Sequence, residues 1–185
     1  MSEWKRIMKT TAPLISLMMF VEVAAGGLLN SMESVFIMLP AILAIVPGVN
    51  ALAGNVGSIV GSRISSGLHL GSIDPSPLHP EVRENMEMSF LVGLLERAIT
   101  ATALYFILPY LSIEVKMSFI HWLTIVLLAQ AVALAVVIPM AVVVSVLAFR
   151  KGLSPNDFAI PVVSTVGDFM GILSLAIAIT VVGIA

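Results

Sequence analysis

Asp168 lies well inside the last apolar stretch of the chain, which runs from Ile160 to Ile179 and is long enough to span a bilayer. An ionised aspartate near the centre of such a helix costs roughly 2.5–3.5 kcal/mol on insertion scales. A chain bears that cost when the charge has a partner, faces a polar cavity or binds a cation. Helical spacing places Pro161, Ser164, Thr165, Asp168 and Gly171 along one face. That face carries two hydroxyls and a carboxylate, and Pro161, which has no N–H, frees the carbonyl one turn before it. An oxygen-only surface without imidazole or thiolate suits Mg²⁺, Ca²⁺ or Mn²⁺ rather than zinc or copper. The competing reading is that Asp168 caps or pairs with another helix.

A second segment supplies the opposing wall. Gly48, Asn50, Gly54, Asn55, Gly57, Ser58, Gly61, Ser62 and Ser65 form a small and polar run in an otherwise apolar chain. Pro40 and Pro47 each remove a backbone donor, and Gly48 and Gly54 loosen the helix, so the segment Leu39–Asn55 is expected to break it. Irregular backbone at membrane depth is tolerated where protein buries it or where it lines a water-filled path. Gly57 and Gly61 have the GxxxG spacing, which also serves close helix packing. Glu22 is the other deeply placed acid, and it either faces the pathway or bonds a neighbouring helix. Glu96 and Arg97 are adjacent in sequence and point to different faces, which fits interhelical or interfacial partners better than ligands. His121 and Trp122 open a span, the position of an interfacial anchor. His69 and His79 are too far apart for a metal motif. No G-x-S-x-G, H-E-x-x-H or Walker loop is present, so nothing assembles an enzyme. A membrane enzyme acting on a lipid with a divalent ion would gather several acids, and this membrane core offers few.

The elements that position these groups follow from composition. Of 185 residues, 59% are hydrophobic and 11% charged, against about 25% charged in soluble domains, and the mean hydropathy is +1.09. Lipid must therefore solvate most of the chain, an all-α membrane protein in which five spans are expected. They cover approximately residues 11–29, 35–65, 88–108, 119–149 and 158–184, the second broken and the fourth expected to tilt or kink at Pro139. A basic start (Lys5, Arg6, Lys9) precedes the first run, which lacks a cleavage motif and is read as a retained helix. With the N-terminus in the cytoplasm, Lys5, Arg6, Lys9, Arg63, Arg83, Arg150 and Lys151 fall inside and only Lys116 outside, which puts the C-terminus outside. The segment 67–87, with Asp74, Pro75, Pro77, His79, Pro80, Glu81, Glu84 and Glu87, is then a solvated cytoplasmic loop, or less simply a weak regulatory cation site. A net charge of -2 gives no reason to expect nucleic acid as a partner, and the lack of cysteine excludes disulfides and thiolate sites.

Two segments carry a resemblance. Val46-Pro-Gly-Val-Asn-Ala-Leu-Ala-Gly-Asn-Val-Gly-Ser-Ile-Val-Gly-Ser-Arg-Ile-Ser-Ser-Gly-Leu-His-Leu-Gly71 and Leu153-Ser-Pro-Asn-Asp-Phe-Ala-Ile-Pro-Val-Val-Ser-Thr-Val-Gly-Asp168 resemble, in order and spacing, the matching segments of the solute carrier family 41 magnesium transporters. The Asp-bearing helix is similar to that of the bacterial MgtE channels. The resemblance implies a half-size, single-repeat member acting as a two-fold homodimer, with the ion path along the dimer axis. It also implies that Asp168 holds a largely hydrated Mg²⁺, that Pro161 and Thr165 line the site with carbonyl and hydroxyl oxygens, and that Gly54 and Asn55, the "G-N" of the second span, face the pore. No segment resembles the cytoplasmic sensor domains of the bacterial channels, and Asn156-Asp157 is reversed relative to the carrier pattern.

The expectation is therefore an integral plasma-membrane magnesium channel or transporter, with no cofactor beyond the transported ion. Asp168, Asn55, Thr165 and Pro161 are its expected metal residues, and Gly54, Asn50, Gly48, Ser164 and Glu22 its expected pore lining. Mg²⁺ prefers octahedral oxygen at about 2.0–2.1 Å and dehydrates reluctantly, so one carboxylate per subunit, doubled by symmetry, fits a wet dication. Two variants keep the architecture: a different divalent selectivity (Mn²⁺, Co²⁺ or Ca²⁺), or proton or sodium coupling with Glu22 as proton carrier. A non-transporting assembly subunit is the remaining class.

Overall fold

The computed structural model describes residues 3–76 and 79–183. Pro77 of the predicted loop, Ile184 at the end of the predicted last span, and the side chains of Lys5 and Arg6 lie outside the described residues. The described residues are all-helical: α1 (Glu3–Ser31), α2 (Glu33–Met38), α3 (Pro40–Leu70), α4 (Pro80–Ile107) ending in a 3-10 turn (Leu108–Leu111), α5 (Phe119–Arg150) and α6 (Pro155–Val182). Among the described residues, five stretches are long and apolar enough to cross a membrane: Thr11–Ser31, Pro40–Leu70, Pro80–Leu111, Phe119–Arg150 and Pro155–Val182.

Proline starts helices here more often than it stops them. Pro40, Pro80 and Pro155 each occupy the first turn of α3, α4 and α6, where a missing N–H costs nothing. The expected break in the second span takes a different form for this reason. Helix α3 runs without interruption from Pro40 to Leu70 with Pro47 inside it. The discontinuity falls earlier, at Leu39 (φ -130, ψ 72), because the ring of Pro40 pushes the preceding residue out of the helical region. Pro47 removes one backbone bond, but Ile42, Ile45, Val49 and Ala53 on the same helix are 0–1% exposed, and that packing holds the helix together. The predicted loop 67–87 is shorter as well. Gly71 caps α3 in the left-handed conformation (φ 70), its N–H bonded to Gly67 and Leu68 carbonyls, and α4 already begins at Pro80. Arg83 and Glu87 then pair across one turn at 2.7 Å.

Helix α5 is the centre of the bundle, packed by α3, α4 and α6, while α1 lies along α6. The outer faces of α1 and α4 are greasy: Phe20, Val23, Leu91, Leu95 and Ile99 are all more than half exposed, as lipid-facing side chains are. Trp122 departs from the interfacial reading. It is fully buried, and its indole N–H donates to the Ala101 carbonyl of α4 at 2.8 Å. Ser118, the N-cap of α5, accepts instead from the His121 backbone N–H and meets His121 Nδ1 at 2.7 Å.

Two apolar clusters form the core. One gathers Ile42, Ile45, Trp122, Ile125 and Leu175; the other Val60, Ile64, Val137, Ile138 and Val163. Along α5 the first ends at Ala129 and the second begins at Ala133. Gln130 stands between them, fully buried. At the same division lie Asn50 on α3, Arg97 on α4 and Asp168 on α6, so a polar layer cuts the bundle near mid-length.

Candidate ion site

Asp168 is at the midpoint of α6, and its position is fixed by glycines. A Cβ built on Gly167 would stand 2.7 Å from both Cα and N of Gly54, and one on Gly171 would overlap the Asn50 side chain and lie 2.9 Å from its Cα. One on Gly54 would come 3.4 Å from Ser164 Cα. Helices α3 and α6 therefore touch backbone to backbone where Asp168 departs, a proximity that only small residues permit. Further along the same crossing, Gly61 faces Ala159 and Ser145, and Ser145 Oγ donates to the Gly61 carbonyl at 3.4 Å. Contacts pairing 50 with 171, 54 with 167 and 61 with 159 make the two helices antiparallel.

Asp168 is half-buried and, among the described residues, forms no ion pair and no hydrogen bond within the chain. It is neither a cap nor locked against a basic side chain. Glu22 of α1 is exposed and lies within electrostatic reach of it. Thr165, one turn before Asp168, is 7% exposed, Ser164 is exposed, and Pro161 is half-buried two turns away. On α3, Asn55 is exposed and adjacent to the Gly54 contact. Asn50 is half-buried, with an Oδ1 that has no hydrogen-bond partner. Asp168, Ser164, Gly54 and Asn50 are thus brought together at the crossing, with Thr165 and Asn55 flanking it, while Pro161 is displaced along α6. Gly48 is exposed, but its carbonyl already accepts a hydrogen bond from Arg97 Nη2.

Among the described residues no three His, Asp or Glu side chains converge. The chemistry open to one chain at this place is a single carboxylate with hydroxyl, amide and carbonyl oxygens beside it, an arrangement for a hydrated hard cation rather than for a stripped one. Gln130 is the residue that the sequence reading passed over. It stands alone as an amide in the most hydrophobic span, of hydropathy 2.8, and that isolation was the available signal. Its Oε1 accepts from Arg97 Nε at 3.1 Å.

Comparison with known families completes the picture. The MgtE family, described as divalent cation transporter, matches residues 46–178. The matched region begins within α3 and ends within α6. It includes both sides of the glycine crossing, whereas Glu22 and α1 precede it. Five membrane-length apolar helices and a match across most of the sequence together place this chain in the MgtE family of divalent cation transporters, as an integral membrane protein.

Proposed function

We propose that this protein moves Mg²⁺ across the plasma membrane through a pore on the two-fold axis of a homodimer, with Asp168 of each subunit at the ion site. The observation that carries the reading is a half-buried carboxylate at the midpoint of a membrane helix, with no ion pair or hydrogen bond among the described residues, on a helix whose Gly167 and Gly171 pack against Gly54 and Asn50. Two such carboxylates facing each other repel unless a cation lies between them, and two negative charges balance one dication. Mg²⁺ keeps several waters when bound, which suits hydroxyl and amide groups reaching it through water. Asp168 supplies charge, Thr165, Ser164 and Asn55 polar oxygens, and Pro161 a carbonyl released from helix bonding; Gly54, Asn50 and Gly48 line the path. The excess of Lys and Arg on one side favours a cytoplasmic N-terminus and an external C-terminus. Flux into proteoliposomes with a panel of Mg²⁺, Mn²⁺, Co²⁺ and Ca²⁺ tests the selectivity, and Asp168→Asn tests the site. Magnesium flux unchanged in that variant removes Asp168 from the path.

The proximity of Glu22 to Asp168 favours one second reading, a carrier in which Glu22 takes up a proton as the ion leaves. Flux driven by an imposed pH gradient, and lost in Glu22→Gln, supports it; flux indifferent to pH excludes it.

A further inference from the structure

Arg97 is 2% exposed at membrane depth, and among the described residues it forms no ion pair. A buried charge without a counter-ion is costly and usually has a function. Its guanidinium is instead held by neutral oxygens: Nε donates to Gln130 Oε1 of α5 at 3.1 Å, and Nη2 donates to the Gly48 carbonyl of α3. These bonds fix the cation behind the wall of α3, on the layer that divides the two apolar clusters. A methyl group on Gly48 would stand 3.5 Å from Arg97 Nη1, so the guanidinium lies against the bare backbone of α3 on the side where Gly48 itself is exposed.

The helix register gives its offset along α3 from the candidate ion site, to which the width of the helix adds. Asn50 abuts Gly171 and Gly54 abuts Gly167, which sets Asp168 level with Ala53. Gly48 is five residues further along α3, about 7.5 Å at 1.5 Å per residue. We propose that Arg97 is a fixed internal cation that opposes the ion bound at Asp168, keeping the site weak enough to release Mg²⁺ at a useful rate. Conduction needs a site favourable enough to enter and weak enough to leave. One unit charge about 15 Å from a dication, at an effective dielectric of about 20, changes the binding constant on the order of thirtyfold. The adjacent Glu96, whose Oε2 is buried and has no hydrogen-bond partner, offsets part of that. Gln130 and Gly48 are positioning groups for the charge.

This inference rests on Asp168 being the ion site, and the test separates the two. Mg²⁺ binding to the purified chain in nanodiscs is measured by calorimetry, and Mg²⁺ flux in proteoliposomes. Arg97→Gln is expected to tighten Mg²⁺ binding at least tenfold while slowing flux; Arg97→Lys, which keeps the charge, is expected to stay within about threefold of the parent in both. A purely structural arginine gives loss of binding and flux together, never tighter binding, so weaker or unchanged affinity in Arg97→Gln overturns the proposal. Should that variant not fold, Glu96→Gln carries the test in the opposite sense. It removes the offsetting negative charge, so severalfold weaker binding is expected, and unchanged or tighter binding overturns the proposal. Asp168→Asn is the control: if it binds Mg²⁺ like the parent, the ion site lies elsewhere and the reading beneath this inference is what has failed.

Discussion

Replacing Asp168 by Asn keeps the volume of the side chain and deletes its charge, so the variant isolates electrostatics from packing. Because the carboxylate has no ion pair or hydrogen bond among the described residues, the fold loses nothing by the change and sheds a desolvation cost. We expect Mg²⁺ flux to fall at least tenfold, of the order that losing ~1.4 kcal/mol or more of ion stabilisation implies, with an unfolding temperature equal to or above the parent's. Trp122→Phe is the opposite case. It withdraws the donor from the Ala101 carbonyl and leaves a void in a fully buried place, so a loss of roughly 1–3 kcal/mol is expected with flux per folded protein unchanged. Thermal unfolding in detergent beside a flux assay separates the two outcomes. The placement of Asp168 within a span was legible in the sequence, because a carboxylate in an apolar run is costly wherever the run folds. The burial of Trp122 was not: an indole at a span terminus suits the interface equally well, and only the neighbouring Ala101 carbonyl decides.

At the scale of elements, the crossing of α3 and α6 governs how near Asp168 comes to Asn50 and Gly54. Gly167 and Gly54 lie on opposite sides of one contact but tolerate a methyl group differently. A Cβ on Gly167 meets backbone at 2.7 Å, which cannot swing away, whereas one on Gly54 meets Ser164 Cα at 3.4 Å. Gly167→Ala is therefore expected to cost roughly 1–3 kcal/mol, as overpacking does, and to impair flux by moving α6. Gly54→Ala is expected to be milder on both measures. Equal effects would show that the crossing is not where the glycines act. The small residues were visible in sequence and two uses stood open for them, pore lining and packing, which can hold together; the structure shows Gly54, Gly61, Gly167 and Gly171 in close helix contacts. Pro47 taught a related lesson, since a proline within a helix breaks it only when neighbouring turns lack the packing to hold it.

For the whole molecule, the proposed dimer requires that residues near the axis meet their own copies. The chain has no cysteine, so a single introduced thiol is unambiguous. Ser164→Cys, exposed beside the α3–α6 crossing, is expected to cross-link between subunits in membranes, and Ile99→Cys, on the exposed apolar face of α4, is not. Orientation is tested in the same way: an impermeant maleimide added outside intact cells should label Lys116→Cys and spare Lys151→Cys. The sequence by itself determined the class, the number of spans and the place of the charged residue. Those follow from hydrophobic length and from the cost of exposing backbone or charge to lipid, which depend on composition along the chain alone. Only the tertiary structure decided that α3 runs through Pro47, that Trp122 is a core residue, and that Arg97 is held by hydrogen bonds to Gln130 and the Gly48 carbonyl. Each of those depends on which atoms of distant segments come within bonding reach, and spacing along one chain cannot specify that.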